Sequence, residues 1–169
     1  MKKIIAFAML FVLIFSLVGC GDTNNDVMNN GNKTTEETTL AEPEKTELSA
    51  EDFISALGSS KEYEFKTELN STVEDLALFP YTGLKYCVLV SLDDVSVASF
   101  FVFDNEENAQ TVLDEAKSEN TTGFDDTTGK NFESVKQGSV VIERVGTTVL
   151  NIAAEEEAVT QAILAATEY

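Results

Sequence analysis

The chain of 169 residues contains no histidine and no tryptophan, and its one arginine is Arg144. Without histidine the sequence cannot supply a Ser-His-Asp triad, a Cys-His pair or a histidine metal ligand. Lys and Arg number 11 against 30 Asp and Glu, so the formal net charge is −19. Nucleic-acid binding needs clustered basic side chains to neutralise phosphates, and the sequence has no such cluster. We therefore predict a protein that is not an enzyme and that binds no nucleic acid.

The N-terminal 20 residues have the organisation of an export signal. Lys2-Lys3 precedes an apolar run over residues 4–18, which is shorter than the roughly 20 residues that a transmembrane helix needs. The run ends in the sequence LVGC at positions 17–20, with a branched apolar residue three before the cysteine and glycine directly before it. This ending resembles the lipobox of bacterial lipoprotein signal peptides. The resemblance implies that residues 1–19 are removed and that Cys20 carries a diacylglycerol on its thiol.

A lipidated Cys20 determines the expected location of the protein. Two acyl chains at one site are sufficient for stable anchoring without a membrane-spanning segment. We therefore expect a lipoprotein on the extracytoplasmic face of the cell membrane, with the membrane as a partner through Cys20. Loss of two lysines with the signal makes the net charge of the remaining chain 9 − 30 = −21, which favours solubility outside the cell. Cys87 is then left without a second cysteine for a disulfide, and we expect it to be a small core residue.

The rest of the chain divides into a tether and a domain. Residues 20–47 are rich in Asn, Thr and Glu and poor in large apolar side chains. Such a composition buries too little surface to offset its ordering entropy, so it predicts a disordered acidic tether after the lipidated cysteine. Residues 48–169 have the length of a single domain.

Apolar spacing in this domain predicts helices and hairpins in a definite order. A short first helix is expected over residues 50–57, ending at Gly58, followed by a strand over 62–69 and one or two helical turns over 72–78. Two hairpins, at 84–103 and 139–153, are each followed by a helix, to about 116 and 166 respectively. A polar loop is expected over 121–130.

Two hairpins and two main helices predict an α+β fold. The hairpins form an antiparallel sheet of four or five strands, and we expect both main helices to bury their apolar stripes on one face of it. The strands of residues 84–103 carry apolar side chains on both faces, so a second layer has to cover the other face. The first helix together with residues 72–80 is the expected cover, and a partner protein is the alternative.

The two hairpin–helix blocks, residues 84–118 and 139–168, align without a gap at an offset of 50 residues. The matched strand residues are Ala98, Phe100 and Val102 with Thr148, Leu150 and Ile152. The blocks are either a tandem repeat or two ordinary strand-to-helix units, since acidic residues favour helix N-termini in general. The sequence leaves both interpretations open.

Three short motifs occur in order from about residue 80 to the C-terminus. They are the turn PYTG at 80–83, the strand-to-helix junction FDNEE at 103–107, and the sequence RVGTTVL at 144–150 before the last helix. This order of features resembles small clostridial lipoproteins that carry a domain of unknown function. The resemblance implies a lipoprotein with an α+β domain, and it implies no activity and no functional residues.

Carboxylates are the remaining candidates for chemistry. Asp125 and Asp126 lie in the loop TTGFDDTTGK at 121–130 between two glycines, where oxygen ligands suit a hard cation such as calcium. A carboxylate pair can also hydrolyse glycosides, although a small domain without tryptophan has few rings on which to stack a sugar.

We predict no cofactor. The first hypothesis is a non-enzymatic binding or interaction module with a protein partner at the cell envelope. The alternatives are a calcium-binding accessory domain and a small carboxylate-based hydrolase.

Overall fold

The computed structural model of the protein describes residues 44–119, 123 and 125–169. Its elements in chain order are α1 (Ala50–Gly58), β1 (Lys66–Asn70), α2 (Val73–Leu76), β2 (Leu84–Leu92), β3 (Val95–Phe103), α3 (Glu106–Glu119), β4 (Asp125–Thr128), β5 (Phe132–Gln137), β6 (Val140–Val145), β7 (Thr148–Ala153) and α4 (Glu157–Thr167). The predicted signal peptide, Cys20 and the tether up to residue 43 lie outside the described residues.

The strands form one antiparallel sheet with the order β1-β2-β3-β7-β6-β5-β4. The α+β prediction is confirmed. The expectation of four or five strands is wrong, because the described residues form a sheet of seven. The two unexpected strands lack the alternation that marks a half-buried strand. All four residues of β4 are exposed, and β5 buries Phe132 and Val135, which are three positions apart and therefore face opposite sides of the sheet.

One face of the sheet, here called the α4 face, packs against α1 and α4. Strand residues such as Phe100, Leu150 and Ile152 contact Phe53 of α1 and Ile163 of α4 in one buried cluster. Phe53 stacks on Phe100 with ring centroids 4.2 Å apart. The N-terminus of α1 forms as its sequence predicts, because the backbone N–H of Asp52 donates to the Ser49 hydroxyl at 3.1 Å.

The opposite face, here called the α3 face, packs against α3 and the segment around α2. Phe101, Ile142 and Val149 of the sheet share a second buried cluster with Ala109, Val112 and Leu113 of α3. Because α3 and α4 lie on opposite faces, the prediction that both main helices share one face is wrong. Successive strand residues point to opposite sides of a sheet, so the apolar residues at consecutive positions 100 and 101 require a layer on each side.

The cover of the second face comes from within the chain. Leu76 and Phe79 pack against the α3-face cluster, as expected for residues 72–80. The other contributor to this cover is α3, whereas the first helix was expected there. Residues 44–47, which the sequence assigned to the tether, make side-chain contacts with the domain, as described below.

Candidate functional site

The predicted calcium residues lie in the edge strand β4. Asp125 is opposite Lys136 and Asp126 is opposite Val135 in the β4–β5 register. Consecutive strand residues point to opposite faces, so the two carboxylates do not converge on one point. The nearest cation to Asp126 is an amine, since its Oδ2 lies 3.6 Å from Nζ of Lys117.

The described residues around β4 do not complete a metal site. Within the described ranges, no group of three or more His, Cys, Asp and Glu side chains is arranged to hold a metal ion. Lys117 forms an ion pair with Glu133, and Nε2 of Gln110 donates to the same carboxylate at 3.0 Å. The calcium hypothesis stays a prediction, and the polar groups beside Asp126 form an ion-pair network on the α3 face.

Cys87 is a core residue of β2, as the sequence predicts. Its side chain is fully buried in the α3-face cluster. Burial, with a smaller contribution from Glu68, raises the pKa of the thiol to about 12. The thiolate is the nucleophilic form of cysteine, so at neutral pH this side chain is protonated and unreactive.

Residues 44–49 form a segment, here called the strap, that binds to the domain next to Asn131. The backbone N–H of Lys45 donates to Oδ1 of Asn131 at 3.0 Å, and Nδ2 of Asn131 donates to the Lys45 carbonyl at 2.7 Å. The two hydrogen bonds satisfy both backbone groups of Lys45 with one side-chain amide. The position at which the chain enters the domain is therefore defined by specific contacts.

Glu47 makes a second attachment of the strap, at the β6–β7 turn. Its Oε1 accepts a 3.0 Å hydrogen bond from the backbone N–H of Thr147 and another from the Thr147 hydroxyl. Gly146 in this turn has a φ of +56°, and a Cβ at that position would lie 2.3 Å from Oε2 of Glu47. Glycine therefore suits the backbone conformation of this turn, and a larger residue would have to displace the Glu47 carboxylate.

Lys45 also forms an ion pair with Glu143, a carboxylate inside the α4-face layer. Glu143 is 3% exposed, and its neighbours along the same face of β6 are Val141 and Val145. Nζ of Lys45 pairs with Oε1 of Glu143 and lies 5.0 Å from the ring centroid of Phe132. Sequence reasoning missed this site. Its signal was a single acidic residue at an inward position of the apolar strand VVIERV at 140–145.

Most of the exposed large apolar side chains of the described residues lie in one stretch of the sequence. Among the residues that the structure describes, five large apolar side chains are exposed: Leu69, Val73, Leu78, Tyr86 and Val95. The first four lie between the end of β1 and the start of β2, in a segment here called the 69–86 corner. Val95 lies alone, in the β2–β3 hairpin. The corner was not anticipated from the sequence, because burial of these positions depends on which neighbours fold over them.

The 69–86 corner is held in place by rings on its inner side. Phe79 and Tyr81 make edge-to-face contacts with Phe101, at centroid distances of 5.9 and 5.2 Å. The N-terminus of α2 is capped because the backbone N–H of Asp75 donates to the Thr72 hydroxyl at 3.2 Å. These contacts keep the backbone ordered while other side chains of the same segment point to solvent.

A crevice of about 320 Å³ lies at the other end of β1, beside the end of α1. Its apolar lining includes Leu57, Tyr63 and Phe65, and its polar lining includes Lys61. None of its charged lining residues is buried. The crevice therefore lacks the buried, converging polar groups that orient a small ligand in a specific pocket.

Comparisons with known proteins give no relative from which a role could be transferred. No protein-family model, curated protein or solved structure matches the chain. None of the helices in the described ranges is long and apolar enough to cross a membrane. A functional argument for this chain therefore depends on its own residues and their arrangement.

Proposed function

We propose that this protein is a lipid-anchored lipoprotein of the extracytoplasmic membrane face, and that its domain binds an envelope protein through the 69–86 corner without catalysis. The anchor is Cys20, at the end of the lipobox-like sequence LVGC. The −21 charge of the chain after signal removal disfavours close contact of the domain with an anionic membrane surface. A protein partner is therefore favoured over the membrane itself for the corner.

The observation that carries the proposal is that four of the five large exposed apolar side chains among the described residues lie in the corner. Isolated exposed apolar residues are ordinary on protein surfaces, whereas a group of them with a polar rim indicates an interaction site. Leu78 is 55% exposed and Val73 is 85% exposed. Leu69 is opposite Val88 in the β1–β2 register. Tyr86 lies two positions before Val88, so Leu69 and Tyr86 are diagonal neighbours about 7 Å apart on the α4 face of the sheet, to which Val88 points. Val73 and Leu78 belong to the segment around α2, which packs on the α3 face, so the corner presents apolar side chains around the β1 edge of the sheet.

The rim of the corner indicates the charge of the partner. Glu68 and Glu74 are exposed near the apolar residues, Asp75 is half-buried, and Lys85 is an exposed cation nearby. An acidic rim attracts a positively charged surface and repels anionic lipid headgroups. The preferred partner is therefore a protein with a basic, partly apolar contact surface.

A photo-crosslinking amino acid at position 78 tests the corner in intact cells. We expect Leu78 replaced by p-benzoylphenylalanine to give a discrete crosslinked product. The matched control is the same replacement of Val95, which is 59% exposed and lies outside the corner. Crosslinks that are absent at position 78, or equally strong at position 95, would count against the corner as a binding surface.

The anchor is tested separately with Cys20→Ala. We expect the wild-type chain to incorporate an alkyne-labelled fatty acid and to sediment with membranes, and the variant to incorporate none. Labelling that persists in the variant would contradict lipidation at Cys20, whatever the result at position 78.

A further inference from the structure

Glu143 occupies an unusual position for a carboxylate. In the β5–β6–β7 register it lies opposite Ser134 on one side and Leu150 on the other, in a layer of apolar side chains. The Tyr169 side chain is also buried in this layer. A carboxylate that loses its water without gaining a cation or hydrogen bonds is strongly destabilising. Here Glu143 gains a cation, the ammonium group of Lys45.

The space beside Glu143 has two features that select an ammonium group. A carboxylate oxygen contacts the cation on one side, and the ring of Phe132, 5.0 Å from the same nitrogen, faces it on another. A ring face attracts a cation through its quadrupole, and this attraction strengthens when water is excluded. The Lys45 side chain that fills the space retains 29% of its exposure, so the site is reachable from solvent.

The cation that pairs with Glu143 belongs to the strap and not to the sheet. Lys45 is separated from Glu143 by 98 positions in sequence, and the strap is held beside it by the hydrogen bonds to Asn131 and Thr147. An apolar residue at position 143 would fill a strand interior at no electrostatic cost. With a carboxylate at position 143, the packing of this site is favourable only when an ammonium group occupies it.

The geometry points to a primary-ammonium binding site formed by Glu143 and Phe132, which the strap occupies in cis through Lys45. Withdrawal of Lys45 opens the site to the ammonium group of another molecule, either a lysine side chain of a partner or a free alkylamine. This inference concerns the strap end of β6 and does not rest on the proposed function of the 69–86 corner.

Chemical rescue of Lys45→Ala tests the site. The protein is residues 21–169, which contain the compact unit Glu42–Tyr169. n-Butylammonium replaces the missing side chain, and the thermal midpoint is measured at constant ionic strength. A ligand that binds only the folded state raises the midpoint in a saturable way, by about 4 °C or more at concentrations well above Kd. n-Butanol, of similar shape but uncharged, is expected to give no saturable rise.

Two matched variants separate this site from a general effect of amines. Lys45→Ala combined with Glu143→Gln removes the carboxylate, and we expect n-butylammonium to have no effect on it. Lys130→Ala removes the strap's exposed ion pair with Glu44, whose N–O distance is 2.8 Å, and n-butylammonium should not stabilise it either. Wild type should not respond, because Lys45 fills its site.

The source of the ammonium group is distinguished by a second probe. Nα-acetyl-lysine amide presents the same group on a peptide unit, and stabilisation by it as well as by n-butylammonium indicates that a partner's lysine fits. Stabilisation by n-butylammonium alone restricts the site to free amines. If Lys45→Ala is unfolded by itself, saturating n-butylammonium should restore its far-UV circular dichroism. A variant that neither gains stability nor refolds with either probe overturns the inference.

Discussion

The two hairpin–helix blocks of this protein share their strands and differ in their helices. β3 and β7 pair with Phe100 opposite Leu150, and the register runs symmetrically outward from that pair, with Ala98 opposite Ile152 and Val102 opposite Thr148. A two-fold axis perpendicular to the sheet at the central pair would superpose each strand on the other at the offset of 50 residues. The same operation would place both following helices on one face. Instead, α3 and α4 lie on opposite faces.

The difference is accompanied by different contacts at the end of β3 and at the end of α4. After β3, the backbone N–H of Asp104 donates to the Gly83 carbonyl at 2.9 Å, which joins the end of β3 to the 69–86 corner. After α4, the C-terminal Tyr169 is buried under the α4 face, with its hydroxyl 2.6 Å from the Thr148 hydroxyl. The tandem-repeat interpretation therefore describes the two central strands and does not extend to the helices.

The largest expected effect comes from truncating the central ring on either face. Phe100→Ala and Phe101→Ala each remove a buried ring, and each should lower the free energy of unfolding by about 3–5 kcal/mol, measured by denaturant titration. Hydrogen exchange should distinguish them: Phe100→Ala should expose amides of α1, and Phe101→Ala those of the 69–86 corner. The same exchange pattern in both variants would show that the two layers do not unfold separately.

The ion pairs of the two faces should contribute differently to the free energy of unfolding. Lys45→Met leaves Glu143 buried without its cation and should cost about 3–5 kcal/mol. Lys117→Met breaks a pair whose side chains are 28% and 20% exposed, and should cost about 1 kcal/mol or less because solvent screens it. Adding Glu143→Leu to Lys45→Met should recover most of the loss. Equal costs for the two lysine variants would contradict the contrast in burial.

Substitution of two glycines tests the turns before β2 and between β6 and β7. Gly83→Ala and Gly146→Ala each combine positive φ with a Cβ closer than 3.0 Å to a neighbouring side chain, and each should cost about 1–3 kcal/mol. Gly138 is the matched control, since its φ is +59° and no atom lies within 4 Å of a built Cβ. Gly138→Ala should therefore show the backbone strain alone, about 1 kcal/mol. Thermal or denaturant unfolding of the three variants measures the difference.

A smaller effect is expected from the pH dependence of the α3-face pair. The hydrogen bond from Lys117 lowers the pKa of Glu133 below its usual value. A carboxyl group whose pKa is lower in the folded state stabilises the fold above its unfolded pKa, about 4.3. That stabilisation is lost as the pH falls through the folded pKa. Wild type should therefore lose more stability than Lys117→Met in acid titrations, and parallel curves would exclude this contribution.

The smallest expected signal is the reactivity of Cys87. Because the thiol is fully buried and its pKa is about 12, alkylation by iodoacetamide at neutral pH should occur only through unfolding. Cys87→Ala should leave the 69–86 corner intact. Rapid modification of the native protein would contradict the packing of β2 against the α3 face.

Local features of the fold were predictable because neighbours in sequence cause them. The cap at Ser49 and the apolar spacing after it define α1 without reference to the rest of the chain. The β2–β3 turn at Asp93 and Asp94, with φ of +50° and +64°, follows from residues that tolerate the left-handed region between two apolar strands. Asp125 and Asp126 were placed in a loop because their strand is polar throughout and gains its order from pairing with β5.

The sequence by itself determined the α+β class and the two hairpins, since each depends on composition or on spacing within a few residues. Export and anchoring at Cys20 stay predictions from the sequence. Tertiary structure alone decided which face each helix covers, because both faces of the central strands are apolar. It also decided that Lys45 of the expected tether belongs with Glu143, across 98 positions of chain. Spacing carries no information about such a pair, because only folding brings the strap against the sheet.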